Sequence, residues 1–165
     1  MKKLFLSLPF FLFCALSCPA QSDLLRVGAA SVDVSPTVFP IQLRSGKSNY
    51  VHDPLHVRAV AFQRGEGRAV ICLIDAIGIG RDMSDLAKTR AAEKTGWKPE
   101  EMLICATHTH TAPKGGEGTP GKEAYEKLKH DKLEEAIVKA IQSLQPARVG
   151  FGSDEEPSEV RNRRW

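Results

Sequence analysis

The segment CATHTHTAP, Cys105 to Pro113, places two of the chain's five histidines two residues apart, directly after the apolar run Met102-Leu103-Ile104. Side chains of an extended strand point to alternate faces, so His108 and His110 are expected to project the same way, about 7 Å apart. Neutral imidazole is a common zinc ligand near physiological pH, and two rings converging on one point make the start of a zinc centre. The hydroxyls of Thr107, Thr109 and Thr111 are placed to orient those rings by hydrogen bonding. A zinc shell needs three or four protein ligands, so the remainder must come from outside this segment. The competing reading is an ordinary polar strand end that holds no metal.

The elements that must position this block follow from the pattern around it. LLRVGAASVDVSP, Leu24 to Pro36, reads as a strand stopped by proline, and Thr37 to Tyr50 reads as a loop. HVRAVAFQ and RAVICLIDAIGIG, joined by Arg64 to Gly67, read as a β-hairpin whose second strand is apolar enough to be buried on both faces. A helix capped by Asp82 or Ser84 and closed by Gly96 comes next, and EMLICATH is the strand that delivers the histidines. The Gly- and Pro-rich stretch from Thr109 to Gly121 leads into a long helix, with Tyr125, Leu128, Leu133, Ile137 and Ile141 at helical spacing as far as Pro146. ARVGFGS is then expected to be a short strand. The succession predicts an α/β fold, a mixed β-sheet flanked by helices, with the histidines at a strand's carboxyl end where such folds bind ligands.

Other candidates are weighed by the same rules. Asp75 ends a buried strand, where a carboxylate is costly unless it is paired or borders a site. His52 and His56 read as loop and strand-start residues, and His130 as a helix boundary residue. Gly78-Ile79-Gly80 lacks the third glycine of a dinucleotide fingerprint, and the sequence has no phosphate loop or Gly-x-Ser-x-Gly elbow.

The N-terminus bounds the setting. Met1-Lys2-Lys3, the apolar run Leu4 to Leu16 and small residues up to Ala20 read as a secretory signal over residues 1–20. Cys18, in ALSC, offers a lipoprotein anchor that would hold the chain at a membrane surface. Localisation is therefore expected to be secreted, periplasmic or at the cell envelope. The formal charge of +3 includes Lys2 and Lys3, so the processed chain is close to neutral and suggests no nucleic-acid partner. Export would permit Cys72 and Cys105 to pair, although each sits in an apolar run where a buried free thiol is the simpler reading.

VGAASVDVSP, HDPLHVRAVAF, LIDAIGIGRD, KTGWKPEEMLICATHTHTAP and the terminal NRRW occur in an order that resembles the N-terminal catalytic region of neutral/alkaline, non-lysosomal ceramidases and their bacterial relatives. The resemblance spans essentially the whole chain after the signal. It implies that residues 21–165 are the N-terminal part of a ceramidase-like hydrolase domain, truncated at the C-terminus. The implied activity is zinc-dependent cleavage of an amide, in ceramidases that of ceramide to sphingosine and a fatty acid, through attack of zinc-activated water on the carbonyl. By the resemblance His108 is a zinc ligand, His110 is the catalytic residue beside it, and Asn162 and Arg163 bind substrate. The family's other ligands, a histidine, a glutamate and a tyrosine, lie farther along the chain, so a piece ending at Trp165 is expected to be inactive alone. Thr111-Ala112 stands where ceramidases carry Ser-Gly, and the doubled Arg163-Arg164 fits the bacterial relatives, so the substrate is an amide-containing lipid or small molecule. An exported non-catalytic binding domain and another His-x-His metal hydrolase remain alternatives.

Overall fold

The computed structural model describes residues 24–113 and 121–158. The segments expected to be the signal, with Cys18, and the terminal Asn162 and Arg163 lie outside them. Five strands form one mixed sheet: β1 (Arg26–Asp33), β4 (His56–Arg64), β5 (Gly67–Ile74), β6 (Met102–Ala106) and β7 (Gln145–Pro146). A small antiparallel hairpin, β2 (Ile41–Leu43) and β3 (Gly46–Ser48), stands apart from it. The order across the large sheet is β6-β5-β4-β1-β7, antiparallel except for the β5–β6 pair. Helices α1 (Arg81–Thr95) and α2 (Lys122–Gln142) complete the α/β fold.

The alternation of strand side chains decides which face the helices cover. Val57, Ala59 and Ala61 of β4, Val70, Cys72 and Ile74 of β5, and Met102 and Ile104 of β6 all point into the core. They meet α2 through Leu133, Ala136, Ile137 and Ala140, each fully buried, while Ala87 and Ala91 of α1 join the same cluster. Small residues on α1 and α2 let the two helices approach closely. Burial of a side chain such as Leu133 or Ile137 stabilises the fold by about 1.5–3 kcal/mol. Arg90 pairs with Asp131 at 3.5 Å and Lys94 with Glu134, tying α1 to α2 at the surface.

Two glycines are required by position. Gly65 takes a left-handed φ of +56° in the tight turn between β4 and β5, as the Arg64 to Gly67 turn predicts. Gly28 of β1 lies under the last turn of α2, where a Cβ would stand 2.0 Å from the carbonyl oxygen of Ala140. That helix end is further secured by Arg26, whose guanidinium donates to the Leu144 carbonyl at 2.8 Å.

Several expectations are corrected. β5 is not buried on both faces: Ile71 is 49% and Leu73 36% exposed, because the helices lie on one side and no described element covers the other. Helix α1 begins at Gly80 without a side-chain cap, which puts Asp82 inside the first turn near the helix's positive end. Gly96 does close it, with φ +70°. The closing strand is Gln145–Pro146, and ARVGFGS is irregular. The stretch read as a loop from Thr37 to Tyr50 contains the β2–β3 hairpin. Cys72 and Cys105 are free, in agreement with the simpler reading of their apolar runs, and burial pushes the Cys72 thiol up to about 12 with a smaller contribution from Cys105.

Candidate functional site

Strand β6 ends at Ala106, and the backbone beyond it continues along the residues that follow β5. Thr107 N–H donates to the Ile74 carbonyl at 3.0 Å and Thr109 N–H to the Ala76 carbonyl at 3.1 Å. Between them His108 adopts φ +63°, the only positive φ at a described non-glycine residue. Left-handed backbone is uncommon for an L-residue and concentrates at functional sites. The extended geometry expected for the His-x-His block is therefore replaced by a turn. The rings nevertheless meet, with centroids 4.8 Å apart and planes inclined at 66°.

The His108 ring is oriented by the backbone. Its Nδ1 lies 2.7 Å from the carbonyl oxygen of Ile77, and a carbonyl only accepts, so Nδ1 carries the proton. Neutral His108 then presents its lone pair at Nε2, the arrangement in which a histidine's second ring nitrogen is held by a carbonyl while the first is free for a metal. His108 and His110 are both exposed, so that lone pair is accessible. The donor set fits a metal in part: two imidazoles converge, but no group of three or more His, Cys, Asp or Glu side chains among the described residues forms a complete site.

Asp75 follows the last residue of β5 and faces the open side of the sheet with Arg58. Its Oδ2 accepts the His56 backbone N–H at 2.9 Å and Arg58 Nη1 at 2.9 Å. Burial acts to raise the Asp75 pKa, but the bonds from the His56 N–H and Arg58 outweigh it and hold the carboxyl below its ordinary value. The carboxylate thus meets the requirement placed on a charged strand end.

A cleft of about 610 Å³ opens beside this loop, bordered by Asp75, Thr109, Thr111 and Pro113 on one side and by Tyr50 and His52 on the other. His52 therefore faces the cleft, whereas His56 contributes through its backbone. His130 lies on α2 with Nδ1 buried and unpartnered among the described residues. Three participants are not visible to sequence reasoning. The Ile77 carbonyl carries no side-chain signal, Arg58 is legible only once β4 and β5 are in register, and Tyr50 reaches the cleft through a loop whose path only the fold defines.

No protein-family model matches the chain, and no curated protein matches it in sequence. Among solved structures, it is similar to neutral ceramidase from Pseudomonas aeruginosa, with a TM-score of 0.65 and 20% identity, over 74% of this chain and 22% of that one. It is also similar to a ceramidase complexed with C2, at a TM-score of 0.59 and 19% identity, over the same shares of the two chains. The chain thus spans less than a quarter of the proteins whose fold it matches. The mixed sheet with its flanking helices has the fold of a neutral-ceramidase-like region.

Proposed function

We propose that this chain is the N-terminal part of an exported zinc-dependent amide hydrolase of the ceramidase kind. The observation that carries the reading is the His108 ring: Nδ1 is held by the Ile77 carbonyl and Nε2 is left free beside His110, at the carboxyl end of the parallel β5–β6 pair. The fold shared with neutral ceramidase supports it.

In this reading His108 is a zinc ligand through Nε2, and the remaining ligands come from outside the described residues. A bound zinc ion would supply Lewis acidity toward the amide carbonyl and activate water at neutral pH. His110, exposed and within ring contact of His108, passes a proton to the leaving amine, since imidazole exchanges protons near neutrality. The substrate in this reading is an amide-containing compound, a lipid amide such as ceramide or a smaller N-acyl compound. Asn162 and Arg163 bind substrate in this reading. Residues 1–20 direct export to the envelope or beyond; in the variant where the leader is cut before Cys18, that cysteine carries a lipid anchor.

The test is metal content and amide cleavage in the full chain, using N-acylsphingosine and a short N-acyl amide. Replacing His108 with alanine is expected to remove bound zinc and turnover together. Unchanged zinc content and turnover in that variant would sink the assignment.

A further inference from the structure

We propose that Asp75 is a positioning residue for the metal-facing histidine: it holds the segment after β5 in the one placement that lets the Ile77 carbonyl fix the His108 ring. The proposal rests on the reading of His108 as a ligand. Its basis is a chain of bonds that runs from β4 to the ring.

At one end, Asp75 and His56 are locked together twice. The His56 N–H donates to Asp75 Oδ2 at 2.9 Å, and the Asp75 N–H donates to the His56 carbonyl at 2.9 Å. Arg58 adds a charged donor to the same Oδ2 at 2.9 Å, a bond stronger than one between neutral groups. Asp75 thereby extends the β4–β5 pairing one residue beyond the strand. At the other end, residues 74–77 act as a template for the histidine turn: the carbonyls of Ile74, Ala76 and Ile77 accept from Thr107 N–H, Thr109 N–H and His108 Nδ1.

The backbone at His108 makes such a brace necessary. A residue at φ +63° relaxes toward ordinary geometry unless its neighbours over-determine it. Three bonds to the template accomplish that only while the template itself is fixed. Beyond Ile74 it has left the ladder of β5, and there Asp75 ties it to β4 through its backbone N–H and its carboxylate. The Asp75 side chain is 15% exposed, so water competes weakly for its oxygens.

The experiment uses the full chain with Asp75→Asn, Arg58→Met and His108→Ala. The His108 tautomer is read by long-range 1H–15N NMR on metal-free protein, and zinc affinity by competition with a chromophoric chelator. The wild type is expected to show His108 as the single Nδ1–H tautomer. Asp75→Asn should give a mixture of tautomers and weaken zinc about 10-fold or more, within the range for groups that orient a ligand. Arg58→Met, which removes the charged donor to Asp75, should move both in the same direction by less. A folded Asp75→Asn protein with an unchanged tautomer and unchanged zinc affinity overturns the proposal. If Asp75→Asn does not fold, Arg58→Met decides, and a wild-type tautomer in that variant overturns it. If His108→Ala keeps its zinc, the ligand reading fails separately, and the metal-free tautomer still decides whether Asp75 positions the ring.

Discussion

Replacing His108 by glycine and by alanine separates what its ring does from what its backbone does. Both variants lose the bond to Ile77 and both lose any metal held at Nε2, so by function they should be equally defective. Stability should divide them. At φ +63° an L-residue is penalised by about 1–2 kcal/mol through its Cβ, a penalty alanine keeps and glycine escapes. Glycine loses more backbone freedom on folding, which costs about 0.5–1 kcal/mol in the other direction. The difference leaves His108→Gly more stable than His108→Ala by about 0–1.5 kcal/mol, up to ~13-fold in the unfolding equilibrium. Urea unfolding of the two metal-free variants, with midpoint and slope compared, is the assay. Alanine more stable than glycine would refute the left-handed turn, and with it the account of how the two rings meet.

Further outcomes follow from the packing and the charges. Gly28→Ala should destabilise the fold by about 3 kcal/mol or more, because its Cβ would lie 2.0 Å from the Ala140 carbonyl oxygen and 2.9 Å from the Leu144 nitrogen, backbone atoms that cannot swing aside; denaturant midpoints would show it. Leu133→Ala, at a fully buried position, should cost about 2–5 kcal/mol by the same measurement. The Asp75 carboxyl has its pKa depressed in the folded state, so its contribution is fully present above the ordinary value of 3.8 and is lost as pH falls through the folded value. The stability gap between wild type and Asp75→Asn should therefore narrow below about pH 4 in urea melts run across that range. Cys72, buried and with its pKa raised to about 12, should resist iodoacetamide at pH 8 until the protein unfolds, while the half-buried Cys105 is labelled first; peptide mapping distinguishes them.

Much of the fold is legible in the order of residues, because periodicity is a local property. The β4–β5 hairpin follows from two apolar runs around Arg64 to Gly67, and α2 from apolar residues at helical spacing, although the helix ends at Gln142 and Pro146 lies in β7. The features that escape such reading depend on partners distant in sequence. Ile71 and Leu73 make β5 look doubly buried, but whether a second layer covers them is not written in the strand itself. The short β7 falls ahead of ARVGFGS because its pairing with β1, Arg26 opposite Pro146, is set by where α2 ends on Gly28.

For the candidate site the division is similar. Residue type and spacing alone determined that His108 and His110 belong together, since imidazole is the side chain suited to a metal at neutral pH and two residues is a short separation. Asp75 was legible as a carboxylate that needed a partner. Only tertiary structure decided how these groups act. The histidines meet through a left-handed turn, the His108 proton is assigned by the carbonyl of Ile77, and Asp75 finds its partners on the neighbouring strand. The physical reason is that backbone carbonyls and N–H groups carry no residue identity. Which of them faces a given side chain is settled by strand register and loop path, and these exist only once the sheet has formed.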